Sequence, residues 1–276
     1  MIKDVIACLS AGGARDVAAD YAVSVCAAFD AHVTGIAFAY EPVVPGTAMG
    51  GFPYEFIESA RTEGRKAAQA AMARFEKAAK AAGVACEPHL FETTLVGSAE
   101  LFGRCARRFD LSIVKQAEPN VDAGEDLIIE AGLFQSGRPA IVVPYIHTAG
   151  LALDRVLLTW DGSRTAARAI GDAMSILARA ATVEVVIVAT ERAERDKITG
   201  ADLGRHLARH GLKVEVKRIV ASDIDVANTI LSYAADSSAD LIVMGGYGHS
   251  RLREFVLGGA TRAILQSMTV PVLMSH

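Results

Sequence analysis

Arg155-Val156-Leu157-Leu158-Thr159-Trp160-Asp161 is a short apolar run ending in polar residues, and it has a counterpart near the start of the chain, Asp4-Val5-Ile6-Ala7-Cys8-Leu9-Ser10. Each run reads as a buried strand. Each is followed by a small polar turn and an Ala-rich amphipathic stretch, Arg164 to Ala180 in one case and Ala14 to Phe29 in the other. A second matched pair is Ala239-Asp240-Leu241-Ile242-Val243-Met244-Gly245 and Phe109-Asp110-Leu111-Ser112-Ile113-Val114-Lys115. Both halves close alike, on Val270-Pro271-Val272-Leu273-Met274 and on Arg138-Pro139-Ala140-Ile141-Val142-Val143. A repeat on this scale means that one architecture is used twice.

The offset between matched positions falls from 151 at the first strand to about 131 at the last two. The first half therefore carries about 20 extra residues, placed between Tyr40 and Ala82. They comprise a Pro/Gly-rich loop, Glu41 to Pro53, and a long charged helix. Each half reads β-α-β-α-β-α-β-α-β, with second-half strands near 155–160, 183–189, 213–220, 240–245 and 270–274. Short apolar runs without strict alternation suit parallel strands covered on both faces. Strands alternating with helices give an α/β doubly wound parallel sheet with right-handed crossovers. The expected division is 1–149 and 150–276. Such sheets take ligands at the carboxyl ends of strands, where the winding reverses. The loops after Thr159 and Met244 are therefore the ones to inspect.

Composition narrows the function. With 51% hydrophobic and 22% charged residues the chain is globular, and a net charge of −4 argues against nucleic-acid or anionic-membrane partners. Residues 1–149 hold 13 basic and 18 acidic side chains and residues 150–276 hold 15 and 14, so the second half is the better host for an anion. Cys8, Cys26, Cys86 and Cys105 show no CxxC spacing and read as reduced thiols of a cytoplasmic protein. The N-terminus enters a strand at once, which leaves no room for a signal peptide. No apolar run reaches the roughly 18 residues that span a membrane.

The stretch after the fourth strand of the second half runs Gly245-Gly246-Tyr247-Gly248-His249-Ser250-Arg251-Leu252-Arg253-Glu254-Phe255-Val256-Leu257-Gly258-Gly259-Ala260-Thr261-Arg262. Gly245 and Gly248 free the backbone for a tight turn, and Gly258 and Gly259 open a helix whose first amides are unpaired. Such a helix start binds phosphate through its dipole and its free N–H groups together. Arg251, Arg253 and Arg262 add positive charge. The same glycines also suit a plain tight turn, the arginines a solvated surface, and Asp161 a helix cap.

Here the chain resembles the universal stress protein family. Its ATP-binding members carry Gly, two residues, Gly, nine residues, then Gly and Ser or Thr. Gly245, Gly248 and Gly258 fit that spacing, and Trp160-Asp161-Gly162-Ser163 and Pro271-Val272-Leu273-Met274 resemble further family segments. The family's Ser or Thr is Gly259 here, so the Gly259 and Ala260 amides and the nearby Thr261 would have to serve. The resemblance implies a strand order of 3-2-1-4-5 in each half. It also implies fifth strands that meet, making the chain a monomeric pseudo-dimer or part of a homodimer. It implies ATP or ADP with Mg²⁺ in the second half. Asp161, after Thr159, would face ribose or the phosphate-bound metal, and Ala189 would offer its backbone to adenine. Gly245, Gly248, Gly258 and Gly259 would cradle phosphates.

The first half lacks this equipment. Lys115 and Glu118 stand where Gly245 and Gly248 do, Ser10 replaces Asp161, and counting back from Pro139 puts Asp126, beside Glu125, at the position of Gly258. This half is expected to be degenerate for nucleotide. Ser10-Ala11-Gly12-Gly13-Ala14-Arg15-Asp16 is similar to the Ser-Gly-Gly-x-Asp-Ser loop of ATP pyrophosphatases, but Ala11 interrupts it. His206 and His210 have metal-pair spacing with no third ligand in view, and His249 is a lone loop histidine. No Ser/His/Asp order or paired-acid loop points to catalysis beyond slow hydrolysis of a bound nucleotide. Two readings stay open. One is a non-catalytic, nucleotide-binding stress-response regulator with an unidentified protein partner. The other is a non-nucleotide interaction protein of the same fold.

Overall fold

A computed structural model describes residues 1–13, 15–41, 54–119, 121, 124–189, 200–220, 225–246 and 259–276. The first half runs β1 (Asp4–Leu9), α1 (Val17–Phe29), β2 (His32–Tyr40), α2 (Tyr54–Ala81), β3 (Cys86–Thr93), α3 (Leu95–Ala106), β4 (Leu111–Lys115), α4 (Glu125–Phe134) and β5 (Ala140–Val143). The second runs β6 (Arg155–Thr159), α5 (Arg164–Leu177), β7 (Thr182–Ala189), α6 (Ala201–Arg209), β8 (Val214–Val220), α7 (Val226–Asp236), β9 (Leu241–Gly245), α8 (Gly259–Ser267) and β10 (Val272–Ser275).

The strands form one ten-stranded sheet of order β3-β2-β1-β4-β5-β10-β9-β6-β7-β8. Each half has the expected order 3-2-1-4-5. All neighbours within a half are parallel, and only β5 and β10 pair antiparallel, Val142 opposite Val272 and Ile141 opposite Leu273. Every residue of both these strands is buried. Pairing removes two apolar edges that would otherwise invite aggregation. The sheet's own edges, β3 and β8, are blunted instead, by Pro88, Glu87 and Glu92 on one and by Glu215, Lys217 and Arg218 on the other.

Helices cover both faces. One core joins the sheet to α1, α2, α5 and α6, and the other joins it to α3, α4, α7 and α8. The helix α2, longer than its counterpart α6, presents Ala68, Ala71, Phe75 and Ala79, spaced by helical turns, to the first core. It settles on β2 where Gly35 has no side chain: a Cβ there would lie 2.8 Å from the Phe75 ring. The loop before α2 lies outside the described residues. All four cysteines are free, Cys26 buried and the others partly so. Among the described residues no helix is long and apolar enough to cross a membrane.

The halves are also tied by side chains. Ser24 Oγ accepts from Leu151 N at 2.8 Å, Arg179 lies 4.0 Å over the Phe29 ring, and the Phe134 and His276 rings meet edge to face at 4.9 Å. The strand seam should dominate, because it lies at the centre of both cores. Ile141→Ala and Leu273→Ala should each cost about 2–5 kcal/mol. Because the two residues face each other, urea unfolding of the double variant should depart from additivity by more than about 0.5 kcal/mol.

Candidate functional site

The winding reverses between β6 and β9. These strands are neighbours, Leu158 opposite Val243, yet β6 leads into α5 on one face and β9 toward α8 on the other. Their carboxyl ends therefore frame a crevice. Thr159 Oγ1 donates to the Val243 carbonyl at 3.4 Å, and Trp160 N–H donates to the Val186 carbonyl at 2.9 Å, so the turn after β6 leaves the strand at a fixed angle. Asp161 does not cap α5. Ser163 does, accepting from Ala166 N–H at 3.1 Å, while Asp161 Oδ1 accepts from Ser163 N–H at 2.9 Å. Asp161 thus sits exposed on the crest of the turn, two residues ahead of the cap.

Gly245 ends β9 against the first turn of α5. A Cβ on it would lie 2.5 Å from Ala166 N and 2.6 Å from the Thr165 carbonyl carbon, so only glycine lets the two elements approach this closely. Ala189 ends β7, half-buried and paired with Val220. Gly259 and Ala260 start α8 exposed, with no acidic residue in that helix's first turn, and Thr261 is buried behind them. A Cβ on Gly259 would meet nothing within 4 Å. Gly248 and Gly258, with His249, Arg251 and Arg253, lie outside the described residues. The His206 and His210 rings pack edge to face at 4.8 Å, and among the described residues no group of three or more His, Cys, Asp and Glu is placed to hold a metal.

The matching crevice of the first half is occupied by the protein's own charges. Lys115, where Gly245 stands in the other half, places Nζ 2.8 Å from Glu118 and 3.0 Å from Glu125. Residue counting had pointed to Asp126. The structure turns Glu125 inward instead and leaves Asp126 exposed, because α4 begins at Glu125 one residue earlier. Two carboxylates in the first turn suit the helix dipole and repel phosphate. The segment between β1 and α1 runs from 10 to 16, whereas that between β6 and α5 runs only from 160 to 163. Asp16, the aspartate of the pyrophosphatase-like stretch, is the α1 cap and accepts from Ser10 N–H at 2.7 Å and Ala19 N–H at 3.1 Å.

Burial sets the protonation behaviour here. It would pull the Lys115 amine down, but the hydrogen bonds and charges of Glu118 and Glu125 outweigh it and raise the amine above its usual value. Burial raises the Asp16 carboxyl, opposed by its two backbone hydrogen bonds. Burial also pushes Tyr40 up to about 12 and, with the Asp16 and Glu125 charges adding to it, lifts the Cys8 thiol far above its ordinary range. Cys8 is therefore a neutral thiol and not a nucleophile.

Residues 152–276 match the family model described as Universal stress protein family. This half of the chain is a universal stress protein domain. A curated universal stress protein from Synechocystis sp. is 29% identical over 139 residues, which cover 49% of this chain and 46% of that protein. The chain thus spans about half the length of that relative. Over 99% of its length the chain superposes on a universal stress protein from Archaeoglobus fulgidus, covering 97% of it, with a TM-score of 0.73 at 14% identity. A putative universal stress protein from Pseudomonas aeruginosa aligns over 99% of this chain and 93% of its own, with a TM-score of 0.65 at 13% identity. At these identities the superpositions establish the shared fold, and they extend it across both halves.

The charge cluster of the first half could have been found from the Lys115 and Glu118 spacing. The contact of Gln116, whose side-chain amide donates to the Leu265 carbonyl of α8 at 2.7 Å, carries no local sequence signal. Two outcomes follow. Gly245→Ala should destabilise by about 1–3 kcal/mol in urea unfolding, since backbone must move to admit the Cβ. Lys115→Met should cost about 2–3 kcal/mol, below the range for fully buried pairs because Glu118 is partly exposed. The stability Lys115 contributes is fully present below its ordinary value of 10.5 and is lost as pH rises through the raised one. The gap between wild type and Lys115→Met should therefore close in melting curves taken at increasing alkaline pH.

Proposed function

We propose that residues 150–276 form a nucleotide-binding domain taking ATP or ADP, and that residues 1–149 are its degenerate, non-binding twin. The observation that carries this reading is the contrast between two equivalent crevices. One is filled by the Lys115, Glu118 and Glu125 charges; the other has Gly245, an exposed Asp161 and a helix start without carboxylates. In the proposed complex the Gly259 and Ala260 amides and Thr261 bind phosphate oxygens, helped by the α8 dipole. Gly245, with Gly248 and Gly258, lets the backbone approach the phosphates, and Thr159 fixes the turn that carries Asp161 toward ribose. Ala189 supplies backbone to the base. Where Mg²⁺ accompanies the phosphates, Asp161 is a carboxylate that would help to hold it.

In this reading nucleotide binding serves as a signal. Family membership supports a role in stress response, with nucleotide occupancy setting which protein partner is engaged. A cytoplasmic location accords with free thiols and a modest net charge.

Calorimetry with ATP and Mg²⁺ should give one site per chain. At 100 times the dissociation constant, nucleotide should add about 2.7 kcal/mol of stability, visible in a melting curve. Gly259→Val should weaken binding at least tenfold without loss of fold, because its Cβ has open space in the free protein. Asp126→Leu should leave binding unchanged. No heat with millimolar ATP would favour the interaction-protein reading, and two sites per chain would refute the assignment of the halves.

A further inference from the structure

The outer part of the N-terminal sheet has an opening at the edge where its strands begin; because β5 and β10 pair antiparallel, Thr159 and Gly245 lie on the same edge, with β4, β5 and β10 in between. The cavity measures about 440 Å³, within the range of small-molecule pockets. Ile36, Phe91, Cys105 and Phe109 give it an apolar lining under the end of α3. Asp4, His32, Glu87, His89 and Arg108 make up its charged and titratable rim.

The C-terminal half closes the same place with its own side chains. Arg155 opens β6 as Asp4 opens β1, and each has its backbone N–H held by an aspartate, Asp240 or Asp110. Glu184 stands opposite Leu157 on the next strand as Thr34 stands opposite Ile6. Glu184 is 1% exposed, joined to Arg155 and, at 2.8 Å, to the Tyr233 hydroxyl. Asp4 and Thr34 build no such network, and the space is left open.

The rim charges favour one ligand type. Asp4 Oδ1 lies 3.1 Å from His32 Nδ1, and Glu87 Oε1 lies 3.4 Å from His89 Nε2. Each carboxylate thus has an imidazole partner. The Arg108 guanidinium, by contrast, has no ion pair among the described residues. A guanidinium fork recognises a carboxylate with two parallel hydrogen bonds. The Phe91 and Phe109 rings favour an aromatic body stacked against them or meeting them edge to face. We infer that this cavity binds a small aromatic carboxylate, with its ring on the apolar lining and its carboxylate on Arg108. The inference is independent of nucleotide binding, since β4, β5 and β10 separate the two sites along the sheet.

The probe is 2-naphthoate, titrated calorimetrically into the full chain. It should bind with a submillimolar dissociation constant. The uncharged 2-naphthalenemethanol should bind at least tenfold more weakly, and Arg108→Gln should weaken 2-naphthoate at least tenfold. Arg108 is exposed, so that variant keeps its fold, as circular dichroism will check. The double variant Asp4→Arg/Thr34→Glu, which installs the pair that closes the other half, should abolish binding. If it fails to fold, Arg108→Gln and the alcohol still decide. Saturating ATP should leave 2-naphthoate affinity unchanged. No heat at about 10 mM probe, equal affinity for acid and alcohol, indifference to Arg108→Gln, or displacement by ATP would each overturn the assignment.

Discussion

β5 and β10 are four residues each, wholly buried, and paired antiparallel through Ile141, Val142, Val272 and Leu273. A strand this short and apolar cannot be left as an edge in water. Parallel strands need covering on both faces, and the two helical layers supply it on either side of the seam. Once the seam forms, the remaining strands continue outward from it in mirrored order, and only the charged strands β3 and β8 meet solvent. The crevice between β6 and β9 depends on the same pairing, because β9 lies directly beside β10.

Much of this was legible from residues. The repeat of Asp4–Ser10 at Arg155–Asp161 gave the architecture, because parallel strands write themselves as short apolar runs at regular separation. The long helix α2 announced itself as the charged surplus of the first half. The plainer reading of Asp161 as a helix cap does not hold, since cap preference does not distinguish Asp161 from Ser163 when both stand near a helix start. Asp126 was placed one residue off, because counting from a proline assumes equal helix lengths in the two halves. The opening beneath α3 had no signature at all. It exists because Asp4 and Thr34 replace Arg155 and Glu184, residues that meet only once neighbouring strands are in register.

The two halves illustrate how one scaffold tolerates opposite electrostatics. A glycine at 245 lets β9 lie close against α5, and the lysine at 115 is held by two carboxylates. The amine then takes the place that a bound anion's counter-charges would hold, with Glu118 and Glu125 as its acceptors. The first half also touches the last helix of the second. Gln116, buried and anchored by Tyr145 N–H at 3.3 Å, reaches the Leu265 carbonyl and steadies the far end of α8.

Residues 144–154 join β5 to β6 and so link the two halves through a short connection, and that has a kinetic meaning. When partners on one chain assemble, each is presented to the other at an effective concentration in the millimolar range for a short flexible link. The assembled form therefore does not come apart on dilution. Nor does either half meet the twin half of another molecule often enough to exchange with it. Each half is thus released from having to match a copy of itself, and either can change its sequence so long as it still fits its permanent neighbour. Lys115 is one such change. A symmetric pair of identical subunits would have to carry that lysine in both crevices at once, but a joined pair carries it in one.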